Sequence, residues 1–122
     1  MVNKPKFNIF ANIGYAMDGM IEVLKNENSF KMQLLVITLI GITLPFIDIS
    51  TLSKLVLFVS TWLVLLVEAI NSAIERVVDL VTTDYHKLAK DAKDIGAFAV
   101  LIAFVIVVMV WGITISIEVG II

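Results

Sequence analysis

From Ile95 to Ile117 the chain runs without a single charged side chain. That stretch matches the about 20 apolar residues an α-helix needs to cross a bilayer core about 30 Å thick, with some tilt. Gly96, Ala99 and Ala103 recur along it at helical spacing, which permits close contact with another helix. The rest of the chain must therefore be compatible with a membrane, and its composition is. Of 122 residues, 60% are hydrophobic and 16% charged, with a mean hydropathy of +1.03. A soluble domain of this size needs more polar surface, and its core is too small to hide so many aliphatic side chains.

Two other apolar runs share this character. Leu34 to Ile47 is interrupted by Pro45 and closed by Asp48. Extended back to Phe30, with Lys31 snorkelling outward, it approaches the length of a span. Asp48 to Ser53 reads as a tight loop. Leu52 to Leu80 is longer than one bilayer thickness. The spacing predicts transmembrane helices over about 30–47, 52–80 and 93–117. Before them, Phe10, Ile13, Met17, Met20, Ile21 and Leu24 recur at intervals of three and four, with Asn12, Tyr15, Asp18, Glu22 and Lys25 facing elsewhere. This predicts an amphipathic helix on the membrane surface over about 6–26. The expected fold is all-α integral membrane, one domain over residues 1–122.

Basic residues set the orientation. Lys4, Lys6, Lys25 and Lys31 precede the first span, and Arg76, Lys87, Lys90 and Lys93 lie toward the connection between the second and third. The positive-inside rule puts the N-terminus and the 76–93 connection in the cytoplasm. The mixed, sparse charge, net −2, does not suit a nucleic-acid surface. The absence of cysteine excludes a thiolate nucleophile and a Cys-based metal site.

The second span carries the chemistry. Taking Glu68 as zero and about 100° per residue, Asn71 falls near about −60°, Glu75 near about −20° and Asp79 near about +20°. An amide and three carboxylates thus share one stripe. Counting about 1.5 Å per residue from Leu52, Glu68 lies roughly 24 Å along, inside the hydrocarbon, with Glu75 at its edge. Charged groups at such depth mark function by default. Polar side chains that only join helices are the structural alternative. Clustered carboxylates repel unless protonated or bridged by a cation. An all-oxygen set suits Mg²⁺ shared with substrate phosphates, and a further carboxylate can accept a hydroxyl proton. With a lysine for phosphate charge, this makes a workable phosphoryl-transfer site. No P-loop or Gly-rich nucleotide loop accompanies it.

Glu68 to Asp79 reads EAINSAIERVVD, and Asp84 to Ile102 reads DYHKLAKDAKDIGAFAVLI. Together with NENSF (Asn26 to Phe30) and the pair Gly14-Tyr15, these segments resemble the prokaryotic diacylglycerol kinase family. The family core E-x-x-N-[ST]-A-I-E-x-x-V-D is matched at every fixed position, as is A-K-D at Ala92, Lys93 and Asp94. Gln33 replaces an acidic residue of the family pattern, and Lys90 a glycine.

The resemblance implies a homotrimer in the bacterial inner membrane, with three spans and a surface helix per subunit. It implies transfer of phosphate from ATP, with Mg²⁺, to diacylglycerol. Glu68 would be the general base and Asn71 its polar partner. Glu27 and Glu75 would hold the metal. Lys93 would neutralise phosphate, and Asp94, with a minor contribution from His86, would contact the nucleotide. Competing expectations are an undecaprenol kinase on the same scaffold, a proton-coupled multidrug transporter and a pore-forming oligomer. The transporter wants its carboxylate near the midplane of an even-numbered bundle, and a pore has no need of Glu75 and Lys93 together.

Overall fold

A computed structural model describes residues 7–122 of the chain; Lys4, Lys6 and the expected start of the first helix at residue 6 lie outside the described residues. Among the described residues four α-helices follow one another: α1 (Ile9–Asn26), α2 (Asn28–Thr43), α3 (Thr51–Val81) and α4 (Lys87–Glu118), with a 3₁₀ turn (Leu44–Phe46) after α2. The turn, α3 and α4 complete three segments long and apolar enough to cross a membrane: Asn28–Phe46, Thr51–Val81 and Lys87–Glu118.

Each boundary has a local cause. The Asn8 side chain accepts from the amides of Phe10 and Ala11, which would otherwise be unpaired donors at the start of α1. At Glu27 the backbone turns extended (φ −112°, ψ 107°), and α2 starts at the next residue. α2 tightens at Leu44, because Pro45 has no amide to donate. Ser50 caps α3 by accepting from the Ser53 amide at 3.1 Å. The Glu118 carboxylate, at the other end of α4, also accepts from the Ser50 amide and the Ser53 hydroxyl. The far ends of α3 and α4 are thereby tied together.

α4 begins six residues ahead of the apolar span expected from 93, at Lys87, with His86 as its cap. The extra turns lie among charged residues and are supported by Lys87–Asp91 and Lys90–Asp94 pairs one turn apart. The expected loop at 48–53 is likewise shorter, since Thr51 to Ser53 already belong to α3.

α3 is the central helix and packs on α2 on one side and α4 on the other. Phe30, Ile37 and Leu65 form the core between α2 and α3, joined by Val23, Leu24, Leu34, Phe58 and Ala69. Toward α4, Gly96 and Ala103 are buried, while Ala99 is exposed. The contact stripe repeats every seven residues, and Ala99 falls beside it. Much of α4 faces outward with large apolar groups, including Phe98, Leu101 and Val108 at 59%, 57% and 68% exposure. In water such a continuous apolar surface would drive association. In lipid it is the ordinary exterior, so the chain is a membrane protein.

Candidate active site

One end of the bundle, where α1 meets α2 and α3 runs on toward α4, gathers the candidate side chains Glu27, Glu68, Asn71, Glu75, Lys93 and Asp94. Ser29, on the first turn of α2, donates its hydroxyl to Glu68 on α3. Glu68 is only partly exposed, so this partner satisfies a carboxylate set among apolar neighbours. One turn along α3, the Asn71 amide donates to Glu75 at 2.9 Å. The Asn71 carbonyl oxygen is buried without a partner and faces Gly96 of α4. A methyl built on Gly96 would stand 2.0 Å from that oxygen. Only glycine allows the Asn71 carboxamide its place.

Glu27 sits at the junction of α1 and α2. It accepts from the Ser72 hydroxyl at 2.8 Å and from Arg76 at 3.1 Å. Arg76 also approaches Glu22 at 3.7 Å, so one guanidinium links α1, the junction and α3. Farther along, Lys93 of α4 donates to Asp79 at 2.6 Å. Asp94 pairs with Lys90, and the His86 ring accepts from the Leu88 amide. Asp79, His86, Lys90, Lys93 and Asp94 line one pocket of about 360 Å³. The three residues expected to meet the nucleotide therefore share a cavity.

The expected stripe on α3 is shared between two neighbours: Glu68 turns to α2, while Asn71 and Asp79 turn to α4. Glu27 and Glu75 share no hydrogen-bonding partner, and among the described residues no three His, Cys, Asp or Glu side chains gather as a cation site. Their chemistry fits a hard divalent cation nonetheless: both are carboxylates, and a small cation of this kind takes one or two carboxylates and completes its shell with phosphate and water.

Ser29, Ser72, Arg76 and Gly96 contact the candidate residues and have no role in the sequence reading. Sequence counts Arg76 for topology alone, although an arginine near the hydrocarbon edge is a signal in itself. Gly96 reads from sequence only as packing, and Ser29 lies in NENSF without an assigned role.

A three-span helical membrane protein with carboxylates, an amide and a lysine-lined pocket at one end is of the class that can join a water-borne substrate to a lipid one. The model of the prokaryotic diacylglycerol kinase family matches residues 14–115. The chain is 37% identical over 98 residues to the diacylglycerol kinase of Escherichia coli, covering 80% of each protein. It is 37% identical over 99 residues to that of Haemophilus influenzae, covering 80% of this chain and 83% of the relative. With that of Pseudomonas aeruginosa it shares 33% over 99 residues, covering 80% of each. The chain belongs to the prokaryotic diacylglycerol kinase family and is a membrane-embedded lipid kinase.

Proposed function

We propose that the protein transfers the γ-phosphoryl group of ATP to the free hydroxyl of diacylglycerol, giving phosphatidic acid at the cytoplasmic face of the bacterial inner membrane. The observation that carries this reading is the joining, on α3, of a hydrogen-bonded base (Glu68) to a carboxylate–amide pair (Asn71–Glu75) and a lysine-bearing pocket at the same end. Glu68 takes the proton of the lipid hydroxyl as its oxygen bonds to phosphorus. The bond from phosphorus to the β–γ bridging oxygen breaks, and ADP leaves. Asn71 orients Glu75. Glu27 and Glu75 would hold Mg²⁺, which when bound offsets the charge of the ATP phosphates. Lys93 leaves Asp79 to meet phosphate, and Asp94 and His86 contact the nucleoside.

On the hydrocarbon side of Glu68, Ile37, Ile40, Val64, Phe104 and Val107 line an apolar groove of about 510 Å³, which suits an acyl chain. Phe10, Ile13 and Met17 are exposed on α1 and suit a helix resting on the membrane surface, with the N-terminus cytoplasmic. The assembly is a homotrimer, which covers part of the outward apolar surface of α4. The whole chain, 1–122, acts as one membrane domain.

The test is ATP- and Mg²⁺-dependent phosphorylation of diacylglycerol, and separately of undecaprenol, by purified protein in mixed micelles. Phosphatidic acid formed by the wild type and lost in Glu68→Gln supports the proposal. Phosphorylation of undecaprenol alone reassigns the substrate, and silence on both lipids overturns the mechanism.

A further inference from the structure

Ser29 is the second residue of α2, two positions after Glu27, and its hydroxyl is already hydrogen-bonded to Glu68. A general base acts on a proton within hydrogen-bond reach. If Glu68 is the base for the lipid hydroxyl, then an alcohol of the chain itself occupies the place of the acceptor. We propose that Ser29 is a second phosphoryl acceptor, so that the protein phosphorylates itself when no lipid hydroxyl lies against Glu68. The inference rests on the assignment of Glu68 as base.

The step balances as the lipid reaction does. Glu68 takes the proton from Ser29 Oγ, and that oxygen forms a bond to the γ-phosphorus of ATP. The bond from phosphorus to the β–γ bridging oxygen breaks, and ADP leaves with its electron pair. Serine and the free position of diacylglycerol are both alcohols, so the site needs no chemistry it does not already supply. Ser29 is exposed at the end of the bundle where Glu27 lies. The Glu27 side chain makes no cap bond to α2, so amides at the start of that helix can donate to a phosphoserine and offset its repulsion by Glu68.

The fold contains its own control. Ser53 donates to the Glu118 carboxylate in the same manner, but at the opposite end of α3. Fifteen residues separate Ser53 from Glu68 along that helix, roughly 22 Å, with the hydrocarbon between. A serine–carboxylate pair is therefore present both inside and outside the proposed site, and only the first should be modified.

The experiment incubates the full chain in phosphatidylcholine vesicles with ATP and Mg²⁺, with and without diacylglycerol. Intact mass, peptide mapping and lipid analysis are read from the same sample. The expected result without diacylglycerol is one phosphate per chain, on Ser29, lost in Ser29→Ala and in Glu68→Gln. Diacylglycerol should suppress it, and Ser53 should remain unmodified. Lipid turnover with Ser29 unmodified would overturn this inference alone, and so would phosphate on another residue. Absence of both reactions in the wild type would overturn the assignment of Glu68 as well. Because the decisive readout is on the wild type, a variant that fails to fold does not blur it.

Discussion

Replacing Gly96 with alanine tests how Asn71 is held. The new methyl would stand 2.0 Å from the Asn71 Oδ1 and 3.2 Å from its Cγ. Comfortable non-bonded separations are about 3.5–4.0 Å, so the carboxamide must retreat by more than about 1 Å. That movement breaks its 2.9 Å bond to Glu75. A lost hydrogen bond to a charged group costs about 1.5–3 kcal/mol, and overpacking of a helix contact about 1–3 kcal/mol. Against this stands about 1 kcal/mol of improved helix propensity. A net loss of stability of about 1.5–5 kcal/mol follows. For the reaction, a displacement of about 1 Å in a positioning group costs about 10²-fold. The assay compares kcat for lipid phosphorylation and thermal unfolding in micelles for Gly96→Ala and for Gly112→Ala. A methyl at Gly112 meets nothing within 4 Å. Should the two variants be equally active and equally stable, the reasoning about Asn71 is refuted.

Three further outcomes are expected. Glu68→Gln keeps a polar side chain for Ser29 but cannot accept a proton, so lipid phosphorylation should fall by about 10²–10⁴-fold with little change in thermal stability; an active variant would remove Glu68 from the reaction. Arg76→Ala frees Glu27 and Glu22, and should lower stability by about 1 kcal/mol and change the Mg²⁺ concentration giving half-maximal activity. If a Mg²⁺ titration matches wild type, Arg76 has no part in setting Glu27. Glu118→Ala removes the acceptor for the Ser50 amide and Ser53 hydroxyl at the far end, and should lower the thermal unfolding midpoint while leaving kcat near wild type; a lost kcat with the fold intact would couple the two ends.

The second apolar run, 52–80, nearly coincides with the helix Thr51–Val81, which Ser50 caps at its start. The third apolar run is shorter than its helix, since hydropathy reports where lipid begins, whereas α4 is extended by hydrogen bonds and paired charges from Lys87 onward. The first ran to 47 in sequence, yet its α-helix stops at Thr43 and a 3₁₀ turn around Pro45 continues it. Within the site, the helical stripe on α3 brought out Glu68, Asn71 and Glu75 because their spacing is local. Glu27 came only from the family resemblance. The partners Ser29 and Arg76 act across 39 and 49 residues of sequence, a distance no periodicity spans. Gly96 was visible as a small residue, but the oxygen it accommodates belongs to another helix.

The three spans differ in length. α3 has 31 residues and α4 has 32, about 46–48 Å each, so both outreach a hydrocarbon core of about 30 Å. Asn28–Phe46 has 19 residues, about 28 Å, and no slack. Its two ends are fastened, by Ser29 to Glu68 at one and by Lys54 to the Pro45 carbonyl at the other. In a thicker bilayer this segment must either thin the lipid around it or draw Ser29 and Glu68 below the headgroups. On the proposed mechanism, the depth of the Ser29–Glu68 contact then follows the thickness of the bilayer in which the protein sits.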